Sequence, residues 1–377
     1  MKIVADENIS RVEQAFRDLG EVVLLPGRRI QRQHLLDCQC LVVRTVTAID
    51  ANLLQDTPVE FVGTATIGTD HVDLEYLKNN HISFSNAAGC NAEAASEYVI
   101  SGLFALSERR GFDPFSLKAG IVGCGNVGSR VFQKLQILGI ETLVNDPPLQ
   151  ATQTCNQPFV DLDTIITQCN FITLHLPLTR EGENPTFHLF AQSQLQRLVK
   201  NCVLVNAARG PVVDNRGLLN VLQHRPDLVV FLDTWESEPD LSRLLLDRVD
   251  LATPHIAGYS VEGRLHGTQM ILDAANKHFS HTSNWQMGDY LPDIIALEPL
   301  HASNELVFWQ QLFKHHHDIW QDHLALTNSR NLSDADFARH FESLRRVYAQ
   351  RFEYGRYRLP ATSNKKAAAI ARQLLFH

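Results

Sequence analysis

Short apolar runs alternate with amphipathic stretches along most of the chain. Before residue 90, strands are predicted at 2–5, 21–25, 40–43, 61–63 and 82–85, and helices at 12–19 and 74–79. Cys40-Leu41-Val42-Val43 is apolar at every position, as expected of a strand covered on both faces of a parallel sheet. Alternation of strands with helices predicts an α/β domain. A helix over 92–106, apolar at Tyr98, Val99, Gly102, Leu103 and Leu106, carries the chain into a second domain. There, strands are predicted at 119–122, 142–145, 171–177, 202–206 and 228–232, with helices at 129–138, 192–199, 215–224 and 261–279.

The first strand of that second domain runs into Gly123, Gly125 and Gly128, a G-x-G-x-x-G spacing with Asn126 and Val127 between the last two glycines. Strand, glycine turn and helix together are the context the motif requires. The glycines let the backbone approach a pyrophosphate, and the helix start offers free N–H donors and a positive dipole end. Asp146 ends the next strand, 18 residues after Gly128. A carboxylate there accepts from the ribose hydroxyls and repels a 2′-phosphate, so the expected cofactor is NAD.

Beyond residue 285 the pattern changes. Residues 303–324 are helical in period, with Leu306, Trp309, Leu312, Phe313, Ile319, Trp320 and Leu324 apolar. Ser333 with Asp336 reads as a helix cap, and Phe337, Phe341, Leu344, Tyr348 and Phe352 mark an apolar face. This surface is expected to meet a second copy in a homodimer, with Arg345 and Arg346 as candidates to reach the neighbouring active site. His315-His316-His317 is read as a solvated face, because consecutive helical residues point in different directions.

At 377 residues, two or three domains are the prior. The net charge of −8 gives no reason to expect nucleic acid or an anionic membrane as partner, so an acidic substrate requires a local basic pocket. Cys38, Cys40, Cys90, Cys124, Cys155, Cys169 and Cys202 form no paired C-x-x-C units, and their odd number suggests a reducing cytoplasm. The first residues read as a strand rather than a signal peptide, and no apolar run is long enough to span a bilayer. No metal is expected.

Three chemical groups stand at the ends of successive strands: Arg209, Glu238 and His255. An arginine fork binds a carboxylate through two parallel hydrogen bonds. A histidine takes a hydroxyl proton as hydride leaves, and a carboxylate on its other nitrogen sets the tautomer. Two further turns, 43–47 and 62–73, carry polar groups beyond what packing needs. With Asn206-Ala207-Ala208-Arg209-Gly210, the run 233–239, and Thr253-Pro254-His255-Ile256-Ala257-Gly258, residues 1–285 resemble the D-isomer-specific 2-hydroxyacid dehydrogenases.

The resemblance implies two doubly wound, Rossmann-like parallel-sheet domains plus a C-terminal α-rich (α+β) dimerisation domain. Its expected divisions are 1–95 with 258–285 as a substrate lid, 96–257 for NAD, and 286–377 for dimerisation. It implies that Arg209, Glu238 and His255 are catalytic. NAD contacts are implied at Gly123, Gly125, Asn126, Val127, Gly128, Asp146, His175, Ala207, Ala208, Arg209, Asp233 and Gly258. Substrate contacts are implied at Arg44, Thr45, Thr66 and Tyr259, the substrate being a small phosphorylated hydroxy acid. Family members often have Ser at position 45 and Thr at 175; Thr45 keeps the hydroxyl, whereas His175 changes the donor pattern. The rival readings are a dehydrogenase for another hydroxy acid, such as 3-phosphoglycerate, and an NAD(H)-sensing module that binds proteins.

Overall fold

The computed structural model describes residues 1–377 apart from 153–156, 349 and 363, so Cys155 lies outside the described residues. Two compact units emerge: Met1–Asn91 with Ser260–Pro292, and Ala92–Tyr259 with Asp293–His377.

In the first unit, β1 (Lys2–Asp6), β2 (Glu21–Leu25), β3 (Cys40–Val43), β4 (Phe61–Thr64) and β5 (Ser83–Asn86) form one parallel sheet in the order β2-β1-β3-β4-β5. Successive residues alternate between faces. Ile3, Ala5 and Val42 pack with Ile271 and Leu272, while Val4, Leu41 and Val43 pack with Leu35 and Leu77 on the other side. The helix Val261–His278 lies so close that a Cβ at Gly63 would sit 2.2 Å from Ile271 Cγ2.

The second unit is built on β6 (Lys118–Val122), β7 (Glu141–Asn145), β8 (Phe171–Leu174), β9 (Val203–Asn206), β10 (Val229–Leu232) and β11 (Leu251–Ala252). All neighbours are parallel, in the order β11-β10-β9-β8-β6-β7. The chain steps from β6 to β7, then returns past β6 to β8. This reversal is the switch point at which open α/β sheets bind ligands beyond their carboxyl ends. The predicted strands all form, and all but one have their ends within a residue of the predicted bounds. The run predicted over 171–177 stops as a strand at Leu174.

The tail packs within this second unit, while residues 286–292 belong to the first. Its helices are Glu305–His316, Ile319–Thr327, Asp334–Arg346 and Lys365–Gln373, with a two-strand pairing of β12 (Ile295–Ala296) and β13 (Tyr357–Arg358). The helical period predicted over 303–324 is two helices, because the Asp318 carboxylate accepts from Trp320 N–H (3.2 Å) and caps a new start. The cap at Ser333 forms as read, Oγ accepting from Asp336 N–H at 3.2 Å.

Two expectations about the tail need correction. Trp309, Phe313, Phe337 and Phe341 are at most 2% exposed within a single chain, so no second copy is needed to hide them. The Phe313 ring lies 4.9 Å from Phe104 on the helix Ala92–Arg110, and Phe337 carries the Arg243 guanidinium 3.9 Å from its centroid. The histidine run is not a solvated face. His315 is exposed, but His316 is buried against Tyr354 and Tyr357 and shares a hydrogen bond with the Phe352 carbonyl (2.8 Å), and His317 pairs with Asp322 (2.6 Å). Burial pushes the His316 pKa well below the ordinary 6.5.

Candidate active site

At the end of β6, Gly123 has φ +87°, and a Cβ there would meet the His175 carbonyl oxygen at 2.6 Å. A Cβ at Gly128 would stand 2.0 Å from the Gly123 carbonyl oxygen. These two glycines are therefore imposed by backbone packing. Gly125 is different: it is exposed, with open space where its Cβ would be. It stands before the helix Asn126–Ile137 with no side chain capping that helix, so the N–H groups of Asn126 and Val127 at its start remain available to an anion. Asp146 Oδ2 accepts from Cys124 N–H (2.8 Å) and Oδ1 from Leu149 N–H (3.0 Å). The carboxylate is thus tied to the glycine turn and retains free lone pairs. His175 shares a hydrogen bond with Thr173 Oγ1 through Nε2 (2.9 Å), while its buried Nδ1 has no partner. Burial pushes its pKa down to about 3, so it is a neutral ring. Open turn, unspent N–H groups, carboxylate and an unpartnered ring nitrogen fit a dinucleotide.

Beyond β9, Asn206 folds the next turn by accepting from Ala208 N–H (3.1 Å) and donating to the Arg209 carbonyl (3.0 Å). Arg209 Nη1 donates to the Ala208 carbonyl (2.8 Å), leaving most of its fork unspent, while Ala207 lies partly exposed on the same turn. Gly210 is fixed by close approach: a Cβ would sit 1.8 Å from the Trp235 carbonyl oxygen.

The third turn joins Glu238 to His255. Glu238 Oε1 accepts from Trp235 N–H (2.7 Å), and Oε2 faces His255 Nδ1 at 2.8 Å. Burial would raise the Glu238 pKa, but the His255 charge and hydrogen bond, with Trp235 N–H and Arg345, hold it below 4.5. An ionised carboxylate only accepts, so a proton stays on Nδ1 and Nε2 is the nitrogen left to act as base. His255 sits at φ +56°, a backbone that a non-glycine residue adopts only when its surroundings hold it.

Asp233, 1% exposed, supplies much of that hold. Its carboxylate accepts from Thr253 Oγ1 (2.6 Å), Ile256 N–H (2.8 Å) and Ala257 N–H (3.0 Å), and its carbonyl from His255 N–H (2.8 Å). Burial raises its pKa against those bonds. Asp233, read from sequence as a cofactor contact, is here chiefly the organiser of the His255 turn.

Sequence reasoning missed Arg351. Buried, it donates from Nε to the Tyr259 carbonyl (2.9 Å) and from Nη2 to the Ala257 carbonyl, on either side of Gly258. Its guanidinium lies 4.6 Å from the Tyr98 ring centroid. Tyr98 and Tyr348 in turn donate to Asp322 Oδ2, at 2.7 and 3.0 Å, the oxygen that pairs with His317. No local pattern could have announced a clamp made on carbonyls.

In the first unit, the turns carrying Arg44, Thr45 and Thr66 follow adjacent strands β3 and β4, joined by Ala65 N–H to the Val43 carbonyl (2.9 Å). Thr45 is exposed, Arg44 Nη1 donates to the Asn8 carbonyl (3.3 Å), and Thr66 Oγ1 lies 2.8 Å from Thr64 Oγ1. Among the described residues one further cluster stands out: ligand-type atoms of His188, Asp214 and Glu236 lie within 4.8 Å of one another, already engaged in protein hydrogen bonds. No described helix is long and apolar enough to cross a membrane.

A dinucleotide-type turn followed by an arginine and a carboxylate–histidine pair, on one parallel sheet, has the parts of an oxidoreductase site. Residues 87–257 match the family model described as "D-isomer specific 2-hydroxyacid dehydrogenase, NAD binding domain". The chain belongs to the D-isomer specific 2-hydroxyacid dehydrogenases and is an NAD-dependent enzyme. Among curated relatives it is 40% identical over 369 residues to a protein of Chromohalobacter salexigens named erythronate-4-phosphate dehydrogenase, covering 97% of this chain and 95% of that one. A Yersinia pestis protein of the same name is 41% identical over 356 residues, covering 94% and 93%. Of solved structures, NAD⁺-bound 3-phosphoglycerate dehydrogenase from Entamoeba histolytica shares the fold at TM-score 0.63 and 23% identity, covering 76% of this chain and 98% of that one.

Proposed function

We propose that this chain oxidises 4-phospho-D-erythronate at C2, giving 3-hydroxy-2-oxo-4-phosphooxybutanoate and NADH. The observation that carries the reading is the Glu238–His255 pair beyond the glycine turn, in a chain similar along almost its whole length to relatives named for this substrate. NAD, when bound, accepts the C2 hydride; Gly123 to Gly128 and Asp146 would hold it, with His175, Ala207 to Arg209, Asp233 and Gly258 as further contacts. His255 Nε2 takes the C2 hydroxyl proton, and Glu238 stabilises the imidazolium that forms. The Arg209 fork binds the substrate carboxylate and draws electron density from the carbon that becomes a ketone. Tyr259 meets the substrate, and the resemblance assigns it further contacts with Arg44, Thr45 and Thr66 in the first unit. The proposed setting is cytoplasmic, and the proposed assembly a homodimer, supported by the resemblance and by the exposed apolar Leu324, Leu332 and Val347 of the tail.

Steady-state rates with 4-phospho-D-erythronate and 3-phosphoglycerate, on a preparation whose mass is measured by sedimentation equilibrium, test this reading. The first acid should be turned over with the higher kcat/KM by a dimer, and His255→Ala and Arg209→Ala should abolish turnover. A higher kcat/KM with 3-phosphoglycerate would assign the chain to another member of the family. NAD binding with no turnover of either acid would favour a sensor, and a monomer mass would remove the dimer.

A further inference from the structure

The substrate proposed above carries two anionic ends, whereas the chain is acidic overall, at net −8. Arg209 provides for one end. A second cation stands beside the segment that follows His255, contributed by the tail. Arg345 lies in the last turn of the helix Asp334–Arg346, and its Nη2 donates to Tyr259 Oη at 3.4 Å. Tyr259 follows His255 by four residues, and the charge on Arg345 is felt at Glu238. The expectation that this arginine serves a neighbouring subunit gives way to a placement inside its own chain.

The donors of Arg345 are largely unspent. Its Nε is buried without a partner. The nearest carboxylate in an ion pair, Glu342, is 3.9 Å away and half exposed. The Phe341 ring, 5.9 Å from the guanidinium to its centroid, offers a face rather than an acceptor. A buried N–H without an acceptor is costly, and a guanidinium with free donors beside a tyrosine hydroxyl is suited to a phosphate. Tyr259 Oη accepts from Arg345, so its own proton is left to donate. The placement is firm, because Arg351, further along the same segment, is bonded to the carbonyls on both sides of Gly258.

We propose that Arg345, together with the Tyr259 hydroxyl, binds the phosphate of the hydroxy-acid substrate, so that the tail contributes a specificity residue to the active site of its own chain. This rests on the function proposed above. The test compares wild type, Arg345→Met, Arg345→Lys and Tyr259→Phe. The readings are kcat and KM for 4-phospho-D-erythronate, the Ki of unphosphorylated D-erythronate as competitor, and the Kd of NAD. Losing a charged hydrogen-bond donor should raise KM by about 10- to 150-fold in Arg345→Met. In that variant the D-erythronate Ki and the NAD Kd should stay near wild type. Arg345→Lys should recover most of the loss, and Tyr259→Phe should raise the same KM by a smaller factor.

An unchanged KM in Arg345→Met overturns the proposal, as does an equal loss for phosphorylated and unphosphorylated acids, which would place the carboxylate there instead. A parallel loss of NAD affinity, unrelieved in Arg345→Lys, overturns it in favour of a structural role. If D-erythronate fails to compete even in wild type, the lysine variant decides: recovery supports the proposal and its absence refutes it. A wild type that does not turn over the phosphorylated acid would instead refute the functional reading.

Discussion

Replacing Glu238 by Gln is the smallest change that separates charge from shape in the proton relay. The amide oxygen still accepts from Trp235 N–H, which lies 2.7 Å from Glu238 Oε1. The amide NH₂ then faces His255 Nδ1, where Oε2 stands at 2.8 Å. Two donors cannot share that contact, so the imidazole proton is driven to Nε2, the nitrogen required as base. A charge pair about 4 Å apart at an effective dielectric near 20 is worth about 4 kcal/mol before desolvation. Keeping half of that as the net loss moves the acidic limb of the kcat/KM profile down by about one to two pH units, at 1.36 kcal/mol per unit. With the tautomer wrong as well, kcat should fall by about 10²- to 10⁴-fold, the usual contribution of a general base. NADH absorbance over a pH series measures both, with NAD affinity taken separately and expected to hold. The direction of the Glu238 shift adds a stability reading. Because its folded pKa lies below the ordinary 4.5, the pair's contribution is complete above 4.5 and is lost as pH falls through the lower folded value. The variant should lack that acid-labile share. A kcat within threefold of wild type and an unmoved acidic limb would refute the relay.

Arg351→Met leaves the Ala257 and Tyr259 carbonyls without their donor; kcat should fall at least about tenfold under conditions where circular dichroism shows a folded chain, with partial recovery in Arg351→Lys. Full activity in the methionine variant would show that the clamp does not position His255. His323 accepts from Ala252 N–H through Nδ1 (3.0 Å), and burial pushes its pKa down to about 4. Its folded pKa lies below the ordinary 6.5, so its stabilisation is complete above 6.5 and declines as pH falls toward 4. His323→Gln, which keeps an acceptor, should remove about 2 kcal/mol of the stability change between pH 7 and 5, measured by denaturant titration. Identical pH dependence in the two proteins would refute this.

The sheets were legible in the sequence because strands buried on both faces leave unbroken apolar runs such as 40–43 and 202–205. The glycine turn was legible for a related reason: the backbone approaches at Gly123 and Gly128 exclude a Cβ and leave a mark in residue type. The partner of the tail was not legible. Trp309 and Phe337 announce that they will be buried, but a helical period does not say against what, and both found it in the second unit. His316 was misread because its neighbours at Tyr354 and Tyr357 are remote in sequence. Asp233 was singled out for the right turn, yet the three donors on its carboxylate come from residues 253, 256 and 257, after the chain has crossed into β11 and out again.

The carbonyl clamp also bears on the order in which the molecule is made. Arg351 follows Tyr259 by 92 residues. At roughly 5–20 residues per second, the ribosome adds the arginine some 5–20 seconds after the turn it will hold. During that interval the glycine turn and the His255 segment already exist as polypeptide, but the 257–259 carbonyls await their donor. A nascent chain therefore acquires its cofactor-binding elements before its proton-handling turn is locked. Competence for catalysis comes late in translation, when the segment carrying Arg345 and Arg351 has emerged and docked.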